Sequence, residues 1–223
     1  MKNKISVVFP VYKKNNVEEK IRKYWEMLNR EHQTEIIVVI EGIDRKEYLG
    51  LEKELKFAKI IWNEKRMGKG WAVRNGLAAS KGEVIGFVDS DEAISPKEVS
   101  RLVRLVGKEG IVIGSRKPWH YRSKIRRILS SLFNFYIKIL LGLKVNDSQC
   151  GIKFFRKEKI GKILKKLRIN GFAFDAEILY LLKKKGEKIT EEKIEWEDVG
   201  KSTVGLLSII GMAVDILRIR FNF

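Results

Sequence analysis

The stretch EVIGFVDSD, residues 83–91, decides the fold and marks the place of the chemistry. Its first six residues are mostly apolar and rich in β-branched side chains, which is typical of a strand buried on both faces of a parallel sheet. Asp89 and Asp91 follow directly, two positions apart. Because alternate residues of an extended chain point the same way, both carboxylates are expected to converge at the carboxyl end of this strand.

The same alternation of strand and helix extends to both sides of this stretch. Strands are predicted over residues 5–11, 36–40, 58–62, 83–88 and 111–114, and helices over residues 17–28, 45–55, 69–80 and 96–106. This order predicts an α/β fold with a mainly parallel sheet flanked by helices on both faces. Ligands of such sheets bind at the carboxyl ends of the strands.

The alternation breaks after Arg116, where a basic and then apolar run begins. Residues 119–143 are predicted to form one long amphipathic helix. Further elements are predicted as strands over residues 152–155 and 188–196, and as helices over residues 157–167, 174–185 and 204–219. Since no repeat or linker interrupts the chain, we expect a single domain over residues 1–223. Residues 119–143 and 203–220 are expected to be helices that face a membrane.

Composition narrows the possible partners and the compartment. The 223 residues carry 46 Lys and Arg against 28 Asp and Glu, a net charge of +18 that attracts nucleic acid, anionic lipid or phosphorylated substrates. A single cysteine, Cys150, excludes a disulfide framework and favours a reducing compartment. No secretory signal is visible, and no stretch reaches the roughly 18–20 apolar residues that span a bilayer. Peripheral association with the cytoplasmic face of a membrane is therefore expected.

The two acidic residues after the central strand suit a hard divalent cation. Oxygen ligands from Asp89 and Asp91 are those that Mg2+ or Mn2+ prefers, and the cation would bridge to a diphosphate. There it would act as a Lewis acid that neutralises a leaving nucleoside diphosphate. The alternative is that both residues only cap the next helix.

A second candidate lies between a predicted strand and helix, at Gly68, Lys69 and Gly70. Glycines let the backbone approach a ligand, and a helix N-terminus favours anions. Lys69 adds a positive charge, and Arg74 follows about one turn later. The spacing of a Walker A loop is absent. The alternative is a plain turn followed by a basic, solvated helix face.

Taken in order, several stretches resemble the family 2 GT-A glycosyltransferases. They are VVFPVYKKNN (7–16), IIVVIEG (36–42), NEKRMGKGWAVRNG (63–76) and GFVDSDEAISPKE (86–98). The later stretches IGSR (113–116), NDSQCGIKFF (146–155) and FAFDAEILYLLKKKG (172–186) are similar to the dolichyl-phosphate glucosyl- and mannosyltransferases of that family. The match of residues 146–155 is nearest to the glucosyltransferases.

The resemblance implies an inverting transfer of hexose from a nucleotide sugar, UDP-glucose or GDP-mannose, to dolichyl or another polyprenyl phosphate. It also implies Mg2+ or Mn2+ as cofactor, an anionic membrane surface as partner and no nucleic acid. The residues that it places around the nucleotide sugar are Pro10, Val11, Tyr12, Glu41, Gly68, Lys69, Arg74, Asp89, Ser90, Asp91, Gln149 and Lys201. Asp89 and Asp91 are the metal ligands by the same resemblance.

Two positions depart from the family pattern. The usual pair of acids at the end of the second strand is Ile40-Glu41 here, so one carboxylate is missing. Ala93 stands where relatives often carry a polar residue that helps to hold the metal. Nucleoside recognition and the metal shell therefore differ in detail from the family pattern.

For the acceptor, the resemblance points to Arg116, Arg127 and Asp147 as the catalytic residues. Arginine suits phosphate because its planar fork can bind two oxygens. Spacings of three and four place Arg127, Ser130 and Asn134 on one helix face. Asp147 would orient the acceptor or relay its last proton, and alternatively it is only a turn residue.

Two other functions compete with this reading. One keeps the GT-A fold and changes the acceptor to another glycan or glycolipid, although the basic and apolar run over residues 122–143 argues against a soluble acceptor. The other is a non-enzymatic nucleic-acid-binding protein, prompted by the net charge of +18. No nucleic-acid-binding module is recognisable in the sequence, and the pair Asp89 and Asp91 would have no role in such a protein.

Overall fold

A computed structural model describes residues 4–12, 17–90, 94–116, 124–197 and 206–222. The strands are β1 (Lys4–Tyr12), β2 (Gln33–Glu41), β3 (Ala58–Asn63), β4 (Val84–Val88), β5 (Ile111–Ser115), β6 (Ile152–Arg156) and β7 (Thr190–Lys193). The helices are α1 (Val17–Glu31), α2 (Arg45–Glu54), α3 (Lys69–Ala79), α4 (Pro96–Glu109), α5 (Lys124–Leu141), α6 (Lys157–Leu164), α7 (Phe174–Lys184) and α8 (Leu206–Asn222). Each predicted element is confirmed, with shifts of a few residues at the ends; β7 is shorter than predicted.

The strands form one sheet in the order β3-β2-β1-β4-β6-β5-β7. β1 pairs in parallel with β2 and β4, β2 pairs in parallel with β3, and β5 in parallel with β7. β6 runs antiparallel to both of its neighbours, β4 and β5. The mainly parallel sheet is confirmed, and the reversed β6 is a feature that the sequence pattern did not predict. As a result, the segment before β6 arrives at the edge where β4 and β5 end.

Alternating side chains of the central strands enter two separate cores. On β1, Val7 and Phe9 pack with α1 and α4, whereas Val8 packs with α3 and α7 on the opposite face. β2 divides in the same way, with Ile36, Val38 and Ile40 on one face and Ile37 and Val39 on the other. All of these side chains are fully buried, as expected for strands covered by helices on both faces.

A third apolar cluster joins α5, α7 and α8 beside β5. Ile137 and Leu141 of α5 pack with Ile216 and Ile219 of α8, and the Tyr136 hydroxyl donates to the Ala213 carbonyl (3.1 Å). The long helix predicted over residues 119–143 is therefore α5, which packs against α8. Residues 117–123 lie outside the described ranges. In the part of the chain that the structure covers, no helix is both long and apolar enough to cross a bilayer.

Two helical glycines give a direct test of this packing. A Cβ on Gly76 of α3 would lie 2.3 Å from Val8 Cγ1, whereas a Cβ on Gly107 of α4 would meet no heavy atom within 4 Å. We expect Gly76→Ala to lower the free energy of unfolding by about 1–3 kcal/mol through overpacking. Gly107→Ala is expected to raise it by up to about 1 kcal/mol, because alanine favours helix. Urea unfolding measures both, and equal responses would contradict the packing of α3 on β1.

Candidate active site

Predicted site residues from four strands gather at one edge of the sheet. These strand ends carry Tyr12 on β1, Glu41 on β2, Asp89 after β4 and Arg116 after β5. The Ser90 hydroxyl donates to the Pro10 carbonyl (3.1 Å) and thereby links the end of β1 to the end of β4. The carboxyl edge of the sheet is thus the place where predicted residues for the donor and for the acceptor meet.

Asp89 lies between the beginnings of β6 and α3. Its backbone N–H donates to the Gly151 carbonyl (2.8 Å), and a Cβ on Gly151 would lie 2.2 Å from Asp89 Oδ2. Lys69 Nζ is 2.7 Å from Asp89 Oδ1 and donates to Oδ2 at 2.8 Å. This carboxylate is therefore held in place by its backbone, by a close glycine and by a lysine.

Asp89 does not cap the next helix, since the hydroxyl of Ser95 accepts from the Glu98 N–H at the start of α4 (3.3 Å). That alternative is wrong for Asp89. Asp91 and Ala93 lie outside the described residues, so the paired carboxylate stays a prediction. Within the described ranges no cluster of three or more His, Cys, Asp or Glu residues forms a ready metal site. The Asp89 carboxylate is partly exposed and already pairs with the ammonium of Lys69. It can therefore supply one hard oxygen ligand to Mg2+ or Mn2+.

The glycines at the start of α3, Gly68 and Gly70, lie close to another part of the protein. Gly70 N–H donates to the Asn170 carbonyl (2.7 Å). Cβ atoms on Gly68 and Gly70 would lie 2.4 Å from the Asn170 and Ile169 carbonyl oxygens, respectively. In the structure these glycines bring the backbone close to residues 169–171, and their approach to a ligand stays a prediction.

Arg74 also has partners other than the expected phosphates. Its Nη1 donates to the Leu167 carbonyl (2.9 Å) and its Nη2 to Asn170 Oδ1 (2.9 Å). Arg74 therefore braces the segment before α7. Of the residues predicted on this loop, Lys69 is the one that reaches Asp89.

Glu41 is a buried carboxylate with spare accepting capacity. Its Oε2 accepts from the Gly68 N–H (3.0 Å), whereas its buried Oε1 has no hydrogen-bond partner among the described residues. Burial raises the pKa of Glu41, and the N–H groups of Gly68 and Met67 oppose that rise. Such an acceptor suits a ribose hydroxyl or a base N–H.

Tyr12 and Arg66 form the outer wall beside Glu41. The Arg66 guanidinium lies 4.3 Å from the centroid of the Tyr12 ring, whose exposed fraction is 42%. Arg66 was not predicted as a site residue, although it stands two positions before Gly68 in the same stretch. Val11, also predicted for the donor, is buried in the core.

Asp147 and Arg116 form a two-pronged ion pair. Arg116 Nε donates to Oδ2 (2.7 Å), Nη2 to Oδ1 (2.9 Å) and the Arg116 backbone N–H to Oδ2 (3.1 Å). Burial by itself raises the pKa of Asp147, but the charge and hydrogen bonds of Arg116 outweigh it, so the pKa is lowered. A carboxyl held ionised in this way is a weak proton acceptor, which favours an orienting role.

Side chains from two other elements hold the segment 146–151 that carries Asp147. On β7, Glu191 accepts from the backbone N–H groups of Asn146 (2.8 Å) and Asp147 (2.7 Å). On α5, Asn134 Oδ1 accepts from the Ser148 hydroxyl (3.0 Å). Asn134 was predicted to lie on the site face of its helix. Glu191 was not, because one acid in a charged edge strand has no distinguishing local pattern.

A cavity of about 340 Å³ opens between α5 and this segment. It is lined by Arg116, Ser130, Ser131, Asn134, Phe135, Lys138, Asn146 and Asp147. The structure thus brings together Arg116, Asp147 and the helix face predicted for the acceptor. The side chain of Arg127 lies outside the described part of the chain, as does Lys201. The amide of Gln149 makes a long contact with the Phe172 carbonyl (3.5 Å), and its sugar-binding role stays a prediction.

A buried ion pair beneath the site was missed by the sequence analysis. Lys153 of β6 is fully buried, and its Nζ donates to Asp175 Oδ1 (2.6 Å) and to the Cys150 carbonyl (2.7 Å). The only local signal was a lysine inside the apolar run IKFF. Cys150 is a packing residue, because its side chain is fully buried and burial raises the pKa of its thiol to about 12.

With this geometry in place, comparison with known proteins identifies the family. Residues 6–164 match the Glycosyl transferase family 2. The chain belongs to this family. The recognition made from its ordered motifs is therefore confirmed.

Several relatives are dolichyl-phosphate beta-glucosyltransferases. The Dictyostelium discoideum protein is 36% identical over 177 residues, which cover 74% of this chain and 54% of the relative. The Trichomonas vaginalis protein ALG5C is 31% identical, and the alignment covers 87% of this chain and 62% of the relative. The human protein is 30% identical, and the alignment covers 74% of this chain and 55% of the relative. The chain thus spans between 54% and 62% of these relatives' lengths.

Solved structures confirm the GT-A-like fold. Glucosyl-3-phosphoglycerate synthase from Mycobacterium tuberculosis, in complex with Mn2+, uridine diphosphate and phosphoglyceric acid, superimposes with a TM-score of 0.73. The alignment covers 99% of this chain and 78% of that one at 20% sequence identity. At this identity the likeness concerns the fold.

Because Arg116 pairs with Asp147, the variant Arg116→Met is expected to lose stability by an amount that depends on pH. At neutral pH the variant leaves a buried, unpaired carboxylate, which is expected to cost about 3–5 kcal/mol of unfolding free energy. In the wild-type protein the pKa of Asp147 is lowered, so its stabilising effect is present above the ordinary pKa of about 3.9 and is lost as pH falls through the lowered value. The difference between variant and wild type should therefore shrink on acidification.

Denaturant unfolding at pH 7 and pH 3 measures this difference. Arg104→Met is the matched control, because its pair with Glu31 is largely exposed and is expected to contribute less than about 1 kcal/mol. If Arg116→Met lowers the unfolding free energy by the same amount at both pH values, the loss does not come from the charge of Asp147.

Proposed function

We propose that this protein is an inverting glycosyltransferase that moves glucose from a nucleotide sugar to dolichyl phosphate or another polyprenyl phosphate. The observation that carries the proposal is the Arg116–Asp147 pair, which lines a polar cavity beside the strand end that bears Asp89. Family membership supports the reaction type, and the names of the relatives support glucose and dolichyl phosphate.

Donor binding falls to the side of the site formed by β1, β2 and β4. Glu41 offers its unpartnered Oε1 to the nucleoside, and the Tyr12 ring with Arg66 forms a stacking surface beside it. UDP-glucose is the proposed donor and GDP-mannose the alternative. The Mycobacterium tuberculosis enzyme that shares the fold is complexed with uridine diphosphate.

Asp89, together with Asp91, would hold Mg2+ or Mn2+. When bound, the cation would neutralise the negative charge that develops on the leaving diphosphate. Lys69 stands 2.7 Å from Asp89 and adds a second positive charge close to the same phosphates. Lys201 and Gln149 are proposed to complete the donor site.

Acceptor binding falls to the cavity between α5 and segment 146–151. Arg116 and Lys138 supply positive charge, and Ser130 and Asn134 supply hydrogen-bonding groups around it. This combination suits a phosphate headgroup. Arg127, one turn before Ser130 on the same helix face, is proposed as a further phosphate ligand.

The chemistry needs no strong base. A phosphate monoester is largely ionised near neutral pH, because its second pKa is about 6. One of its oxygens attacks the anomeric carbon from the face opposite the diphosphate, and the bond to the diphosphate breaks as the new bond forms, which inverts the configuration. Asp147, with its lowered pKa, holds Arg116 and orients the acceptor instead of taking a proton.

Exposed apolar stripes on α5 and α8 support peripheral binding to a membrane surface. On α5, the side chains of Ile128, Leu132, Phe135 and Ile139 are each more than half exposed. On α8, the exposed residues are Ile210, Val214, Leu217 and Phe221. Both sets recur at spacings of three and four, so each forms one helix face. With the basic charge of the chain, these faces suit anionic lipid, and the cytoplasmic face is the proposed side.

The reaction is tested with radiolabelled UDP-glucose or GDP-mannose, dolichyl phosphate and Mg2+ or Mn2+. We expect label from UDP-glucose to enter the organic phase. Asp89→Asn and Asp91→Ala should each reduce transfer by at least about 100-fold, because charge stabilisation at the diphosphate is lost. Glu52→Ala, an exposed acid on α2, is the control. Transfer only to a water-soluble acceptor would favour the alternative, a GT-A enzyme for another glycan.

Membrane binding is tested by co-sedimentation with phosphatidylglycerol vesicles. The quadruple variant Leu132→Gln, Ile139→Gln, Ile210→Gln, Leu217→Gln should lose most of the bound fraction, since each apolar side chain that enters lipid contributes about 1–2 kcal/mol. Leu49→Gln changes an exposed apolar residue on α2, outside both stripes, and should bind like the wild-type protein. Unchanged binding of the quadruple variant would exclude these stripes as the contact surface.

A further inference from the structure

We propose that Lys153 is a positioning residue. It holds segment 146–151 from the buried side and thereby fixes the position of Asp147 relative to Asp89. The catalytic consequence rests on the function proposed above. The structural part, that Lys153 holds the segment, stands independently of that function.

The surroundings of Lys153 make it an unusual buried lysine. Its side chain is fully buried, and its Nζ donates to Asp175 Oδ1 (2.6 Å) and to the Cys150 carbonyl (2.7 Å). The Phe87 ring lies beneath the ammonium, 5.4 Å from Nζ to the ring centroid. A lysine cut off from water in this way costs free energy unless it is paired and hydrogen-bonded. Its two hydrogen bonds therefore have well-defined partners that hold the charge in one place.

The Cys150 carbonyl stands between the two halves of the site. Asp147 lies three residues earlier in the chain, and the next residue, Gly151, accepts the Asp89 N–H through its carbonyl (2.8 Å). Glu191 and Asn134 hold residues 146–148 from outside. Lys153 holds the second half of the segment from the interior. It binds Cys150, which lies between Asp147 and the residue that contacts Asp89, Gly151.

Asp175 extends the same arrangement to the donor loop. It lies in the first turn of α7 and pairs with Lys153 (2.6 Å). Burial raises the pKa of Asp175, and the charges of Lys153 and Lys69 oppose that rise. Lys69 in turn pairs with Asp89 (2.7 Å). Asp175 thus couples electrostatically to the lysine under segment 146–151 and to the lysine beside the proposed metal ligand.

Stability alone does not explain this pair. A buried ion pair is often no more stabilising than well-packed apolar residues of similar volume, whereas removal of one partner leaves an uncompensated charge. The variant Lys153→Met, Asp175→Asn removes both charges at nearly constant volume. It therefore separates the positioning of the segment from the stability of the fold.

The first experiment uses Cys150, the single cysteine of the chain, as a reporter of segment 146–151. Its thiol is fully buried, so labelling by a maleimide under native conditions requires the segment to open. In Lys153→Met, Asp175→Asn we expect labelling to be about tenfold faster, the factor for one lost buried hydrogen bond. The control is Lys159→Met, which breaks the pair with Glu187 (2.5 Å) six residues along the chain.

The second experiment compares kcat and thermal stability. Lys153→Met should lower both the melting temperature and kcat. The double variant should recover the melting temperature, while its kcat stays about 10- to 100-fold below that of the wild-type protein with the KM for donor little changed. A purely structural pair predicts that kcat recovers together with stability.

Two results would overturn the proposal. One is Cys150 labelling in the double variant at the rate of Lys159→Met, and the other is a kcat that returns with the melting temperature. If the wild-type protein transfers no sugar, the proposed function fails, and the labelling rate alone still decides whether Lys153 holds the segment.

Discussion

The insertion of β6 between β4 and β5, against their direction, is the constraint on which the site depends. Space for it comes from glycines on both neighbours: a Cβ on Gly86 would lie 2.2 Å from Phe154, and a Cβ on Gly114 would lie 2.5 Å from Ile152 Cγ2. Because β6 runs backwards, its first residue pairs with Val88, the last residue of β4. The start of β6, and with it segment 146–151, therefore lies at the edge where the parallel strands end, and the residues proposed for donor and acceptor meet there.

Four buried acids differ in how their charge is compensated. Asp147 receives the full fork of Arg116, and its pKa is lowered. Glu41 and Glu177 are held mainly by backbone N–H groups, and Asp175 by a buried lysine; for these three, burial outweighs the partners and the pKa is raised. The difference is physical, since a two-pronged guanidinium offers both charge and several donors to one carboxylate. It distinguishes Asp147, whose pKa is lowered beside the cavity, from three buried acids whose pKa is raised.

The local sequence pattern predicted the helices and strands well, but it did not predict which residues contact each other between them. Period-two and period-3.6 alternation identified the strands and helices, because burial against the sheet imposes it. The direction of β6 was not predictable, since a short strand such as IKFFR has the same sequence pattern in a parallel or an antiparallel ladder. Arg74 was predicted to bind the nucleotide sugar, but its partners in the structure, Leu167 and Asn170, lie over 90 residues away in the chain and could not be predicted. Lys153 was missed for the same reason: its partner Asp175 belongs to another element.

The two faces of α5 separate polar from apolar surroundings within one helix. Ser130, Asn134 and Lys138 line the cavity beside Arg116, whereas Leu132 and Ile139 are exposed on the other side. Phe135 belongs to both, since it lines the cavity and its exposed fraction is 61%. An acceptor with a phosphate head and a long apolar tail matches this division, because its head and tail need opposite environments only a helix diameter apart. A uniformly polar acceptor would use the polar face alone, whereas a polyprenyl phosphate uses both faces, with its tail in the same lipid that covers the exposed apolar stripe, and this match favours a polyprenyl phosphate.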